Sequence, residues 1–150
     1  MSNVRFRNLG VTPADPVEEW GVEGLLAAVD RGSLPEWRRI SEAVRGEPWG
    51  PLTAQLLQAL DLAEDRGVAA TLRRAVAHAR ADAERSAREV VRCRFSTLVD
   101  ESGLTAAEFA SRLGTSPSRL STYLSGKVMP SAALLVRAEG VADRAGHAGR

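Results

Sequence analysis

The sequence is poor in the residue types on which most catalytic and metal-binding sites depend. It has one cysteine, Cys93, so no disulfide can form within the chain. Its two histidines, His78 and His147, do not belong to a cluster of residues at metal-ligand spacing. Phosphate-binding glycine loops and dinucleotide fingerprints are also missing. We therefore predict no metal site, no cofactor and no enzymatic activity.

Long apolar runs are absent as well. No run approaches the roughly 20 residues needed to cross a bilayer, and residues 1–11 carry no secretory signal. Aromatic residues make up only 5% of the chain, but a hydrophobic content of 44% in 150 residues is enough for one compact domain or two small ones. These features predict a soluble, cytoplasmic protein with no membrane partner.

Charge is distributed unevenly along the chain, although the net charge is only +1. Residues 1–87 contain eleven arginines and thirteen acidic residues, whereas residues 88–137 contain seven basic residues and four acidic ones. Phosphate contacts supply most non-specific affinity for nucleic acid, so the basic excess favours nucleic-acid binding by the carboxy-terminal part.

Helix signals follow one another from residue 17 onward, and no strand pattern or internal repeat interrupts them. Caps, prolines and apolar spacing predict the following segments: helices over 17–30, 33–46 and 52–65, a break at Gly67, and one long helix from Val68 to about Ser102. The apolar stripe of the long helix, which includes Val90, is too shallow for a convincing heptad zipper. Residues 1–16 lack periodicity and are predicted to form an extended or flexible arm.

All three tryptophans lie in the front half of the chain. Trp20 and Trp37 sit on apolar helix faces, so we expect them in a core. Trp49 lies in a connection flanked by prolines, where it can serve a core or a partner-binding surface equally well.

Residues 103–131 contain the strongest pattern in the chain. Thr105 and Glu108 form a capping box that predicts a helix start, and Gly114 marks its end with a residue that tolerates a left-handed backbone. Ser116 and Pro117 then predict the cap and first turn of a second helix that runs to about Leu124. Pro130 and Ser131 open a further apolar helix. Two short helices joined by a glycine turn are the arrangement that places a helix in DNA.

The residues that carry this pattern resemble the Cro/C1-type (XRE-like) helix-turn-helix family of bacterial and phage regulators, over about residues 88–137. The matching positions are Leu104, Thr105, Glu108, Ala110, Leu113, Gly114, Ser116, Ser118, Leu120, Ser121, Gly126, Lys127, Pro130 and Ser131. The resemblance implies a bundle of about five helices, whose third helix enters the major groove, and action as a homodimer on a two-fold-related site in double-stranded DNA. Ala106 and Leu124 depart from the polar residues that the family often has at those positions.

The resemblance also implies roles for particular side chains. It places Pro117, Ser118 and Thr122 at base edges, with plain solvent exposure as the alternative. Backbone contacts are expected from Ser116, Arg119, Ser125 and Lys127; Arg119 can also reach a guanine, and either serine can act only as a cap. The expected helix-turn-helix core consists of Leu104, Phe109, Ala110, Leu113, Gly114, Leu120 and Tyr123.

Together these observations predict an all-α chain in which an amino-terminal helical subdomain is joined by a long helix to a Cro/C1-type helix-turn-helix bundle. The expected divisions after the arm are a dimerisation or partner-binding region at 17–87, a DNA-binding domain at 88–143 and a flexible tail at 144–150. The predicted function is sequence-specific transcription regulation, as a dimeric repressor that joins the nucleoid when bound to DNA. The alternative is an antitoxin that neutralises a toxin through its amino-terminal region and regulates its own transcription.

Overall fold

The computed structural model of the chain describes Phe6 and residues 10–148, and within these residues the regular structure is entirely helical. A 3₁₀ turn at Val17–Glu19 precedes seven α-helices: α1 Gly21–Arg31, α2 Leu34–Gly46, α3 Pro51–Leu62, α4 Arg66–Ser102, α5 Ala106–Leu113, α6 Pro117–Leu124 and α7 Ala132–Ala148. The prediction of an all-α fold with a carboxy-terminal helix-turn-helix is confirmed.

The chain divides into two compact units, residues 1–83 (unit 1) and 84–150 (unit 2), and the division falls inside α4. Each unit buries its own apolar cluster, so each has a separate core. In unit 2, the single helix α7 occupies the part of the chain where a bundle of five helices would have its fourth and fifth helices. Within the described residues, unit 2 therefore consists of the end of α4 together with α5, α6 and α7, one helix fewer than the resemblance implies.

The core of unit 1 is built around Trp20. This side chain is buried, its Nε1 donates a hydrogen bond to the Asp15 carbonyl at 3.0 Å, and the Arg39 guanidinium carbon lies 4.9 Å from the ring centroid. Trp37 is half-buried and donates from Nε1 to the Ala28 carbonyl at 2.9 Å, whereas Trp49 is 56% exposed. The core placement predicted for Trp20 is therefore confirmed, the same prediction for Trp37 is wrong because Trp37 is only half-buried outside the apolar cluster, and Trp49 lies at the surface.

The prediction that Gly67 breaks the chain between α3 and α4 is wrong. The break lies earlier, between Leu62 and Arg66. Helix α4 already begins at Arg66, because Asp65 Oδ1 accepts hydrogen bonds from the backbone N–H groups of Gly67 and Val68, both at 3.0 Å. Asp30 Oδ1 holds the preceding link by accepting from the N–H groups of residues 64 and 65. Carboxylate capping rather than glycine thus separates these helices.

The two segments predicted to be flexible contain residues that hydrogen-bond or pack within the described structure. Of the arm, residues 1–5 and 7–9 lie outside the described residues, but Arg39 Nη2 donates to the Asp15 carbonyl at 2.7 Å and so anchors the end of the arm to α2. At the other end, α7 runs to Ala148 and buries Ala145, while residues 149–150 lie outside the described residues. Such contacts depend on tertiary packing, which the local sequence does not encode.

Long helix α4 does not bury the whole stripe predicted for it. Leu72, Val76 and Ala79 are buried in unit 1, but Val90 is 68% exposed. The stripe therefore loses its core-facing role before it reaches Val90.

Candidate nucleic-acid interface

Helix α5 begins with the capping box that the sequence predicts. The Glu108 backbone N–H donates to Thr105 Oγ1 at 3.3 Å, and Thr105 N–H donates to Glu108 Oε2 at 2.9 Å. The hydrogen bonds from the backbone and side chain of Thr105 hold the pKa of the Glu108 carboxyl below its ordinary value. The box thus stabilises the start of α5 and fixes its first turn.

The link between α5 and α6 depends on the backbone of Gly114. This residue has φ of 79°, in the left-handed region, and the next N–H, of Thr115, donates to the Ala110 carbonyl at 2.9 Å. Gly114 is exposed, and a Cβ at this position would meet no atom within 4 Å. It was expected among the core residues, but it contributes a backbone conformation rather than buried surface.

Helix α6 begins at a cap and a proline, as expected. Ser116 Oγ accepts a hydrogen bond from the Arg119 backbone N–H at 3.1 Å, and Pro117 occupies the first helical position. Leu120 and Tyr123 face inward and are buried. The ring centroid of Tyr123 lies 5.7 Å from that of Phe95 on α4, so α6 is held against the bundle along one face.

The rest of the expected core surrounds this face. Phe109, Ala110 and Leu113 are buried on α5, and Leu104 is half-buried against the same cluster. Leu124, one of the departures from the family pattern, is also half-buried against it as the last residue of α6, whereas Ala106 is exposed at the start of α5. The face of α6 that carries Leu120 and Tyr123 packs on this cluster, so its opposite face lies at the surface.

The outward face of α6 carries the side chains expected to meet bases. Pro117 and Ser118 are exposed, and the Ser118 hydroxyl makes no hydrogen bond to any described residue. Thr122 is half-buried, and its Oγ1 donates to the Arg119 carbonyl at 2.6 Å. Ser118 can therefore donate or accept, whereas Thr122 presents acceptor lone pairs and a methyl group.

The side chains expected to contact the DNA backbone differ in whether they already interact with other residues of the chain. Arg119 and Lys127 are exposed, and neither forms an ion pair within the described residues. Ser116 acts as the α6 cap, and Ser125 Oγ donates to the Thr122 carbonyl at 3.2 Å. The two cations are thus available for phosphate, while both serine hydroxyls already serve the helix.

Electrostatics favour an anionic partner for this surface. Residues 109–138 contain no acidic side chain, whereas Arg112, Arg119, Lys127 and Arg137 all fall within them. The next acid, Glu139, lies 3.4 Å from Arg94 on α4 and is partly neutralised there. Glu108 on α5 partly offsets Arg112, but α6 and the residues around it carry Arg119, Lys127 and Arg137 with no acid among them, which favours a polyanionic partner.

Sequence reasoning missed one feature beside α6. A surface depression of about 330 Å³, here called the notch, is formed by the glycine turn, α6 and α7, and its lining includes Thr115, Arg119, Tyr123, Ser131, Leu134 and Arg137. From the sequence, Arg137 counts only toward the basic excess of residues 88–137. Its i, i+3 spacing from Leu134, which is buried, was the available signal, since this spacing places Arg137 beside a residue that packs on the core.

Groups that could support other chemistry are scattered. Cys93 is exposed, and its Sγ lies 3.4 Å from Glu89 Oε1 and 3.5 Å from Arg92 Nη2. Across Phe6 and residues 10–148, no group of three or more histidine, cysteine or acidic side chains is arranged to hold a metal ion. In the same part of the chain, no helix combines the length and apolar character that crossing a bilayer requires.

Comparison with known proteins agrees with this geometry. Residues 97–143 match the family model described as helix-turn-helix, which spans the end of α4, the α5–turn–α6 pair and most of α7. Unit 2 therefore contains a DNA-binding helix-turn-helix domain, a class found in transcription regulators. The predicted resemblance to the Cro/C1-type (XRE-like) family is confirmed for this domain, while unit 1 lies outside the match. No curated protein and no solved structure shows significant similarity to the chain.

Proposed function

We propose that the chain is a cytoplasmic, sequence-specific transcriptional repressor that binds an inverted repeat in double-stranded DNA as a homodimer. The observation that carries this proposal is the exposed, acid-free face of α6, which a capped and tightly turned α5 holds at the surface. The major groove is wide enough to admit an α-helix, and an exposed helix of this kind can enter it with its first turns against base edges.

Sequence preference is assigned to the first two turns of α6. Pro117 and Ser118 stand at its start, and Thr122 lies one turn beyond Ser118 on the same face. The Ser118 hydroxyl can serve a donor or an acceptor on a base, and the Thr122 methyl group can pack against a thymine methyl. Arg119 and Lys127 supply affinity that does not depend on sequence, through phosphate contacts.

A homodimer is proposed because one helix of eight residues reads few base pairs. Two copies related by a two-fold axis read two half-sites about 10 base pairs apart, and their discrimination adds. Repression is the simplest output of such a complex, since a dimer seated across a promoter excludes other proteins by occupying the site.

Selection of bound duplexes from a random pool tests the proposal. The full chain should enrich an inverted repeat, and Thr122→Ala should relax preference at one position of each half-site. Lys127→Ala should weaken binding to all duplexes alike and lower the salt dependence by about one phosphate contact. Ser86→Ala, an exposed serine on α4 away from α6, is the matched control and should change neither property.

Three outcomes of this selection would contradict the proposal in whole or in part. Equal binding to every duplex by the wild-type chain would remove sequence-specific recognition. A Thr122→Ala preference indistinguishable from that of the Ser86→Ala control would remove the base-reading role of α6. Enrichment of a single half-site bound by a monomer would contradict only the proposed homodimer and would leave sequence-specific binding in place.

Neutralisation of a toxin is a second candidate function. The observation that favours it is the separate core of unit 1, which gives the chain a compact body outside the DNA-binding match. Co-expression with the product of an adjacent reading frame tests it. An antitoxin should relieve growth inhibition equally well as wild type and as the Lys127→Ala variant, because neutralisation would not use the DNA surface. Absence of any inhibition to relieve would rule this function out.

A further inference from the structure

The notch beside α6 brings together two arginines from different helices. Arg119 belongs to α6 and Arg137 to α7, and both line the same depression with the Thr115 and Ser131 residues of the adjoining turns. Neither arginine forms an ion pair within the described residues. Both guanidinium groups are therefore available to an anion that enters the notch.

No acidic side chain lines the notch. Every residue that lines the notch lies between positions 114 and 137, inside the acid-free stretch 109–138. Glu139, the acid nearest in sequence, is engaged with Arg94. The depression is therefore electropositive, and it carries hydroxyl groups that can hydrogen-bond to an oxyanion.

Tyr123 adds a third observation. Its side chain is only 7% exposed, with its ring packed near Phe95, yet its hydroxyl forms no hydrogen bond with any described residue. Tyr123 lines the notch, and no buried side-chain oxygen of the described residues lacks a partner, so its hydroxyl is accessible to solvent and to a ligand. A buried ring with an unused phenolic donor at a cationic surface is well suited to bind an anion.

We propose that the notch binds a phosphate of the DNA backbone, with Arg119 and Arg137 as its two cationic ligands and the Tyr123 hydroxyl as a hydrogen-bond donor. This rests on the proposed function, and it adds Arg137 and Tyr123 to the residues assigned to DNA. The notch adjoins α6, so the phosphate it holds belongs to the wall of the groove that α6 enters. Its occupancy sets how α6 is seated without itself reading a base.

A free phosphate ion has the same chemistry as a DNA phosphate, and binding measurements distinguish the two ligands. A site built for a DNA phosphate gains from simultaneous contacts along α6 and should bind inorganic phosphate only weakly. Titration of the isotope-labelled chain with inorganic phosphate, at constant ionic strength against chloride, measures that affinity through the Thr115 amide and Arg137 side-chain resonances.

Arg137→Ala tests the proposal in duplex binding, with Arg144→Ala as the matched control on the same helix. Arg144 is exposed and does not line the notch. One phosphate contact contributes a slope of about 0.9 to the salt dependence, so its loss should weaken binding about eightfold at 0.1 M salt. Between 50 and 200 mM salt, wild-type affinity should fall about 3.5-fold further than that of the variant. Arg144→Ala should leave the slope unchanged.

Tyr123→Phe separates ligand binding from folding. The substitution keeps the buried ring and removes only the hydroxyl, so the melting temperature should stay near that of the wild type. Duplex affinity should fall about two- to fivefold, with no change in the preferred sequence.

The results distinguish failure of the notch from failure of DNA binding. If the wild type selects its repeat but Arg137→Ala behaves like Arg144→Ala, the notch assignment is overturned and the proposed function stands. Saturation by inorganic phosphate below 1 mM, with duplex binding unaffected by Arg137→Ala, would assign the notch to a free phosphate and overturn the DNA source. Failure of the wild type to bind any duplex would overturn both proposals.

Discussion

Gly114→Ala offers the sharpest test of how the helix-turn-helix is held together. The residue has φ of 79°, and a Cβ placed on it would touch no atom within 4 Å. Steric contact therefore contributes nothing, and the cost of alanine is the backbone cost alone. The left-handed conformation costs an L residue about 1–2 kcal/mol, and the lower entropy of the unfolded chain returns about 0.5 kcal/mol. The net loss should be about 1 kcal/mol.

Amide hydrogen exchange measures this loss where it occurs. A loss of about 1 kcal/mol should lower the protection of core amides in α5 and α6 about fivefold, while amides of α3 in unit 1 keep their protection. Gly114→Asn should lose less than Gly114→Ala, because asparagine tolerates the left-handed region. Gly146→Ala is the control, since Gly146 is exposed within α7 and alanine should stabilise that helix by about 0.5–1 kcal/mol.

Two results would refute this reasoning. Unchanged protection in Gly114→Ala would show that the turn does not depend on a left-handed residue. A larger loss for asparagine than for alanine would show that something other than backbone conformation controls the position.

Four further substitutions test other parts of the account. Leu120→Ala should destabilise unit 2 by about 3 kcal/mol, because it empties a fully buried site, and circular dichroism melting should detect a large fall. Glu108→Gln should lower the melting temperature at neutral pH, because the lowered folded-state pKa of Glu108 means that its carboxylate stabilises the fold above the unfolded pKa. The difference from the wild type should shrink as pH falls through the lowered value, where this stabilisation is lost. Trp20→Ala should cost about 3–5 kcal/mol in chemical denaturation and Trp49→Ala under about 1 kcal/mol, so equal losses would contradict their different burial.

The helix-turn-helix could be predicted closely because local signals set each of its boundaries. The box at Thr105 and Glu108 starts α5, Gly114 ends it, and Ser116 with Pro117 starts α6. Each signal acts within about four residues, so the local sequence is enough to predict where these helices begin and end. The outward and inward faces of α6 then follow from helical spacing.

The features that the sequence did not reveal depend on residues far apart in the chain. Asp30 caps backbone groups 34 and 35 positions later, and Arg39 anchors the Asp15 carbonyl 24 positions earlier. The notch likewise needs α7 to lie beside α6 before Arg137 can approach Arg119. Local pattern predicts neither the partners nor the orientation in such cases, because tertiary packing decides them.

Mapping of the bound duplex by nuclear magnetic resonance tests the central claim most directly. The labelled full chain would be titrated with its selected inverted repeat, and backbone amide shifts compared with those of a scrambled duplex. The account predicts that the shifts specific to the selected sequence concentrate in residues 116–127, with Ser118 and Thr122 among the largest. Specific shifts confined to α1, α2 and α3, with α6 unchanged, would contradict it.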